Sequence, residues 1–158
     1  TEWNFGADST QNGAVAIADT LGIFGKFDVF LANYWTAPKP KSPGYFAFKL
    51  FGNTDSAGTR FGDTSTYSSS SNSDAVSVFG SVDSKTNKPV IVLVNKEPGH
   101  DIPIELSLKS FPSTSHLSVW CYSEREPNHI TKIQDVNISS GVAKFTVYRY
   151  GIYLLKGN

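Results

Sequence analysis

Hydrophobic and polar positions follow two different rhythms along this chain. In the first fifty residues the period is helical. Ala14, Ile17, Ala18 and Leu21 fall at i, i+3, i+4 and i+7, one face of an α-helix. Asp8 with Gln11 three residues on reads as its capping signal, and Gly22 and Gly25 read as its stops. Next comes Phe27-Asp28-Val29-Phe30-Leu31-Ala32, short, rich in β-branched and aromatic residues, and almost wholly apolar. That pattern predicts a strand buried on both faces, as in a parallel sheet covered by helices. Ser42 followed by Pro43 predicts a second helix start, which carries Tyr45, Phe46, Phe48 and Leu50 to a stop near Gly52.

From about Asp55 the helical period disappears. Segments 75–82, 89–95, 102–108, 116–122, 129–134, 142–149 and 151–155 read as strands. Val76/Val78, Ile104/Leu106/Leu108 and Phe145/Val147 show the alternation of half-buried antiparallel strands. Asn87, Pro98-Gly99, Pro112, Pro127-Asn128 and Ser139-Ser140-Gly141 supply turns between them. The serine tract Ser68–Ser73 reads as an exposed loop entering this unit. The fold class expected is mainly β: an antiparallel β-sandwich over 55–158, preceded by a βαβα piece over 1–54. Two parallel strands buried on both faces need further strands beside them. Residues 1–54 are therefore expected to be the last two βα units of a (β/α)8 barrel that begins upstream of Thr1. The chain has no methionine, so Thr1 is not the residue that began translation.

Charge narrows the partners. Lys+Arg and Asp+Glu are 14 each among 158 residues, and no basic run occurs, so neither nucleic acid nor a membrane surface is an expected partner. No apolar run approaches the ~18 residues of a membrane span. Aromatic residues reach 13% while charged ones are only 18%, a balance suited to a β-rich core, a sugar-binding surface, or both. The single cysteine, Cys121, excludes an internal disulfide and a multi-cysteine zinc site. It lies in an apolar stretch and is expected to be a buried, inert thiol. His100, His116 and His129 lack paired ligand spacing, so no metal and no cofactor is expected. Asn137-Ile138-Ser139 is a glycosylation candidate with chemical meaning only in a secreted chain.

Glu2 is the residue most able to carry chemistry. If Thr1-Glu2-Trp3 closes a barrel strand, Glu2 sits at the strand's C-terminal end, where such barrels place catalytic groups. A carboxylate followed by an aromatic ring and an amide suits attack on an anomeric carbon, stacking on a sugar face and hydrogen bonding to a hydroxyl. Five blocks in order then resemble the late barrel of glycoside hydrolase family 44: Thr1-Glu2-Trp3-Asn4-Phe5-Gly6; Ala18-Asp19-Thr20-Leu21-Gly22-Ile23-Phe24-Gly25; Phe30-Leu31-Ala32-Asn33-Tyr34-Trp35; Ser42-Pro43-Gly44-Tyr45-Phe46-Ala47-Phe48-Lys49; and Phe61-Gly62-Asp63-Thr64-Ser65. Val92-Leu93-Val94-Asn95-Lys96 resembles a strand of that family's C-terminal sandwich.

The resemblance implies a retaining endo-β-1,4-glucanase, several relatives of which act on xyloglucan. It assigns the nucleophile to Glu2 and a place in the substrate cleft to Trp35. Tyr34 is expected to join Trp35 in a sugar platform, Asn33 to bind a hydroxyl, and Trp3 either to line the cleft or to pack behind Glu2. The family's acid/base glutamate follows an asparagine, and no Asn-Glu dipeptide occurs here. Retention needs two carboxyl groups about 5–5.5 Å apart. Glu97, Glu105, Glu124 and Glu126 all fall in the sandwich, so the isolated chain is expected to be inactive.

The leading expectation is the C-terminal portion of a secreted glucanase, with a polysaccharide as substrate. Its structural partner would be the missing upstream barrel segment, or a second copy of the chain. The alternative is a non-catalytic, lectin-like sandwich that binds glycan. A third reading makes the sandwich a structural accessory, with Trp120, Tyr122, Tyr148, Tyr150 and Tyr153 in its core and rim. Asp63 is expected to brace the junction between the two parts through hydrogen bonds to backbone.

Overall fold

The run Val90-Ile91-Val92-Leu93-Val94 is apolar at every position, and the computed structural model, which describes residues 2–158, shows why. It lies in a strand covered on both faces, so alternate side chains enter two different cores. The elements in chain order are β1 (Glu2–Trp3), α1 (Gln11–Lys26), β2 (Asn33–Tyr34), α2 (Pro43–Gly52), β3 (Thr64–Thr66), β4 (Val76–Asp83), β5 (Lys88–Asn95), β6 (Ile102–Ser107), β7 (His116–Tyr122), β8 (Thr131–Ser139), β9 (Val142–Val147) and β10 (Ile152–Gly157).

The strands after α2 follow the order β3-β4-β5-β10-β7-β8-β9-β6, every pairing antiparallel. β8 touches β9 only beside their turn, at Ile138↔Ala143 and Ser139↔Val142. The chain then folds over, so β9 and β6 form a narrow second layer facing the broad layer β3-β4-β5-β10-β7-β8. Between these layers lie Val76, Ile91, Leu93, Leu117, Val119, Tyr153, Leu155, Ala143 and Val147. This is the expected antiparallel sandwich.

The opposite face of the broad layer is not exposed. α1 and α2 lie on it, and Ile17, Phe46 and Leu50 share a core with Phe79, Val90, Val92, Val94, Trp120, Ile152 and Leu154. Phe46 and Tyr122 rings stand 4.9 Å apart across that contact. Polar ties add direction: Gln11 Nε2 donates to Tyr150 O at 2.7 Å, and Lys96 Nζ lies 3.6 Å from the Asp19 carboxylate. Asn95, fully buried, donates through Nδ2 to Tyr148 O at 2.9 Å, which satisfies it without water.

Both helices form where the period placed them, with shifted ends. Thr10, not Asp8, is the N-cap of α1, its Oγ1 accepting from Gly13 N at 3.0 Å. Asp8 is occupied elsewhere, accepting a hydrogen bond from the Tyr34 hydroxyl. Gly22 and Gly25 do not stop the helix, which continues to Lys26. Gly22 is there for space: a Cβ would meet Phe79 Cδ2 at 2.2 Å.

The strand expected over Phe27–Ala32 is absent. Asp28 takes a left-handed backbone, and Phe30 is 99% and Leu31 68% exposed. The strand beside β1 is the shorter Asn33–Tyr34. A two-residue pair offers one neighbour and no sheet to enter, so apolar character alone cannot hold Phe27–Ala32 extended and covered. β3 was not expected, being polar throughout, and β8 runs past residue 134 to Ser139, leaving Ser140-Gly141 as the turn with both residues at positive φ.

Candidate functional site

β1 and β2 run parallel, with Glu2 opposite Asn33 and Trp3 opposite Tyr34. Because side chains alternate along strands, the pair presents two distinct faces. Glu2 and Asn33 share one face, and both are exposed. Trp3 and Tyr34 share the other, where they meet the helices: Trp3 packs edge-on against Tyr34 at 4.6 Å and Phe24 at 5.2 Å, and Tyr34 packs against Phe48 at 5.0 Å.

Backbone and amide contacts fix the end of this pair. Trp35 N donates to Trp3 O at 2.9 Å, and Asn4 Nδ2 donates to Trp35 O at 2.6 Å. Asn4 Oδ1 in turn accepts from Gly6 N. Trp35 therefore follows directly on the end of β2, beside Trp3 and Asn4, and is 60% exposed. Thr36 then turns the chain with φ of 67°. A carboxylate, an amide and an accessible indole thus belong to one exposed corner.

Of the residues singled out in the sequence, Glu2, Asn33 and Trp35 come together in this way. Trp3 and Tyr34 pack behind them. The Tyr34 hydroxyl donates to Asp8, and burial, then that hydrogen bond and the carboxylate's charge, push its pKa upward. Trp3 Nε1 is buried and finds no acceptor among the described residues. Asn137 lies apart, exposed on β8. Asn4 and Asp8, expected to bind a sugar hydroxyl and to cap α1, instead pin the corner in place. Their signal was available only as polar residues flanking an aromatic cluster.

The other candidates are accounted for by structure. Trp120 and Tyr122 are buried beneath the helices, where burial raises the Tyr122 pKa to about 12. Cys121 is buried between the strand layers, and burial pushes its thiol up to about 11. Asp63 accepts from Ser84 N at 3.0 Å and Ser84 Oγ at 2.7 Å, tying the segment before β3 to the β4–β5 hairpin. Those bonds hold its carboxyl below the ordinary carboxylate range. Among the described residues no cluster of three metal-ligating side chains occurs.

A bifunctional glucanase-xylanase from a metagenome library superposes on 99% of the chain with a TM-score of 0.95 and 33% identity. A Paenibacillus polymyxa xyloglucanase of glycoside hydrolase family 44 covers 99% with a TM-score of 0.90 and 28% identity. The chain resembles glycoside hydrolase family 44 from end to end. Endoglucanase A of Paenibacillus lautus is 29% identical over 150 residues, 93% of this chain. The chain spans 30% and 31% of the two solved relatives and 21% of that endoglucanase. No protein-family model matches it.

Proposed function

We propose that this chain is the C-terminal portion of a secreted, retaining β-1,4-glucanase-like glycoside hydrolase, with Glu2 as its nucleophile. The observation that carries this is the corner itself: Glu2 opposite Asn33 on the exposed face of a parallel strand pair, with Trp35 immediately beyond. Residues 1–54 supply the last two βα units of the barrel, and residues 55–158 the sandwich. Secretion accords with the polysaccharide substrate. Among the described residues no helix is long and apolar enough to cross a membrane.

The chemistry divides between this chain and the rest of the protein. The Glu2 carboxylate attacks the anomeric carbon, forming a glycosyl ester while the glycosidic bond to the leaving sugar breaks. The leaving oxygen takes a proton from a carboxyl group on the preceding barrel segment. That group then removes a proton from water, and the resulting hydroxide releases the sugar and restores Glu2. Trp35 stacks on a glucosyl ring, Asn33 binds a hydroxyl, and Trp3 and Tyr34 support the strand pair from behind. A lectin-like sandwich has less to offer, since Trp120 and Tyr122 lie under the helices.

The test compares the chain alone with the chain extended by its upstream sequence, on xyloglucan and on mixed β-glucan. The chain alone should show no turnover. The extended protein should, and Glu2→Gln should lower its kcat by about 10³-fold or more, some 4 kcal/mol at the transition state. A 2-fluoro glycoside should label Glu2 covalently. Unchanged turnover in Glu2→Gln would sink the assignment.

A further inference from the structure

Trp35 has no packing to direct its ring. The residue is exposed, and among the described residues the ring cluster of Trp3, Phe5, Phe24, Tyr34 and Phe48 does not include it. The direction in which its side chain leaves the chain is therefore set by its own backbone. Trp35 lies two residues beyond Asn33, in the phase of the Glu2–Asn33 face. Its N–H is held by Trp3 O as the last rung of the β1–β2 ladder. In a parallel pair that ran on, Phe5 N would donate to Trp35 O next. The ladder has ended there, and Asn4 Nδ2 supplies the donor instead, at 2.6 Å.

The bond falls where the backbone most needs holding. Thr36, next in the chain, has φ of 67°, a left-handed backbone that a β-branched residue rarely adopts. Such a conformation persists only where its surroundings fix it. The peptide group that would turn as Thr36 relaxed is the one whose carbonyl Asn4 grips. Asn4 itself is exposed and joins neither core, so the grip is local. One orientation of its amide serves both partners: nitrogen towards Trp35 O, oxygen towards the Gly6 N–H. An aspartate would keep the acceptor for Gly6 and set a second oxygen against the Trp35 carbonyl.

We infer that Asn4 is a positioning residue. It holds the Trp35–Thr36 peptide so that the indole stays on the Glu2 face as a platform for a sugar ring. In this role its amide meets backbone at both atoms and acts on substrate only through Trp35. This rests on the glucanase reading of the corner, since only there does the direction of the ring bear on a reaction. Stacking on a sugar face is present in the bound substrate and in the transition state alike, so its loss weakens both and falls mainly on KM.

The test is a double-mutant cycle in the protein extended by its upstream sequence, on xyloglucan and on mixed β-glucan. With Trp35 present, Asn4→Asp should lower kcat/KM about tenfold, mainly through KM. In a Trp35→Ala background the same change should cost less than about twofold, because the group through which Asn4 acts is already gone. Asn4→Ala should repeat both results. A second measurement needs no turnover and uses the 158-residue chain. There the heteronuclear NOE of the Trp35 indole N–H should fall in both Asn4 variants while that of the buried Trp120 holds. Equal losses of kcat/KM in the two backgrounds would mean that Asn4 meets substrate or supports Glu2 directly, and would overturn the proposal. So would a Trp35 indole as ordered in the variants as in the parent. Turnover that survives Glu2→Gln strikes the glucanase reading instead, and the indole measurement then still decides whether Asn4 holds Trp35.

Discussion

Asp63 shows how one exposed side chain can connect two parts of a chain. Its carboxylate accepts from both the backbone and the hydroxyl of Ser84, and these bonds favour the charged form. The folded pKa therefore lies below the ordinary 3.8. A depressed carboxylate pKa contributes stability that is complete above the unfolded value and is lost as pH falls through the folded value. Replacing Asp63 by asparagine should lower the melting temperature at pH 6, and the gap from the parent should shrink below about pH 4. Thermal melts across that range decide it, and a gap that persists to pH 2 would mean the carboxylate's charge is not what Ser84 reads. Elsewhere at this scale the candidate corner was only half legible. Glu2, Asn33 and Trp35 could be named because ordered blocks matched a family. The pinning role of Asp8 and Asn4 could not be read, because nothing local distinguishes a polar residue that pins a strand from one that caps a helix or meets solvent.

For whole elements, the informative contrast lies between two apolar runs. Val90–Val94 and Phe27–Ala32 look alike in sequence, yet the first is wholly buried and the second largely exposed. The difference is pairing: β5 has β4 and β10 on its two sides, whereas the second run has no strand beside it. Hydrophobic content states what an element would bury and leaves open what will cover it. Helix ends misled for a related reason, since glycine was read as a stop and served as a notch. A glycine-to-alanine change inside a helix ordinarily gains about 1 kcal/mol. At Gly22 the new Cβ would lie 2.2 Å from Phe79, whereas at Gly25 the nearest atom, on Phe61, is 3.6 Å away. Gly22→Ala should therefore destabilise by about 1–3 kcal/mol through overpacking. Gly25→Ala should be neutral or stabilise by up to about 1 kcal/mol. Urea unfolding of both variants checks the pair, and equal effects would show that the notch is not tight.

At the scale of the molecule, three layers share one broad sheet, and its two faces are covered by different parts of the chain. The helices of residues 1–54 seal one face, so their packing does not depend on completing a barrel. What they leave outside is the strip Phe27, Val29, Phe30 and Leu31, with Phe5 and Trp35 also exposed. Apolar patches of this kind seek cover, and in the proposed enzyme the preceding barrel strands provide it. If the strip is an interface and no part of the chain's own core, its removal should spare the fold. Changing Phe30 and Leu31 together to serine should leave urea unfolding within about 0.5 kcal/mol of the parent, as for ordinary surface positions. The same change should reduce self-association of the isolated chain in sedimentation velocity and weaken its dye binding. Leu154→Ala is the control for core removal: fully buried in β10, it should cost about 2–5 kcal/mol. If the serine pair destabilised the chain as Leu154→Ala does, the strip would belong to the interior of this chain, and an upstream barrel would no longer be needed to explain it.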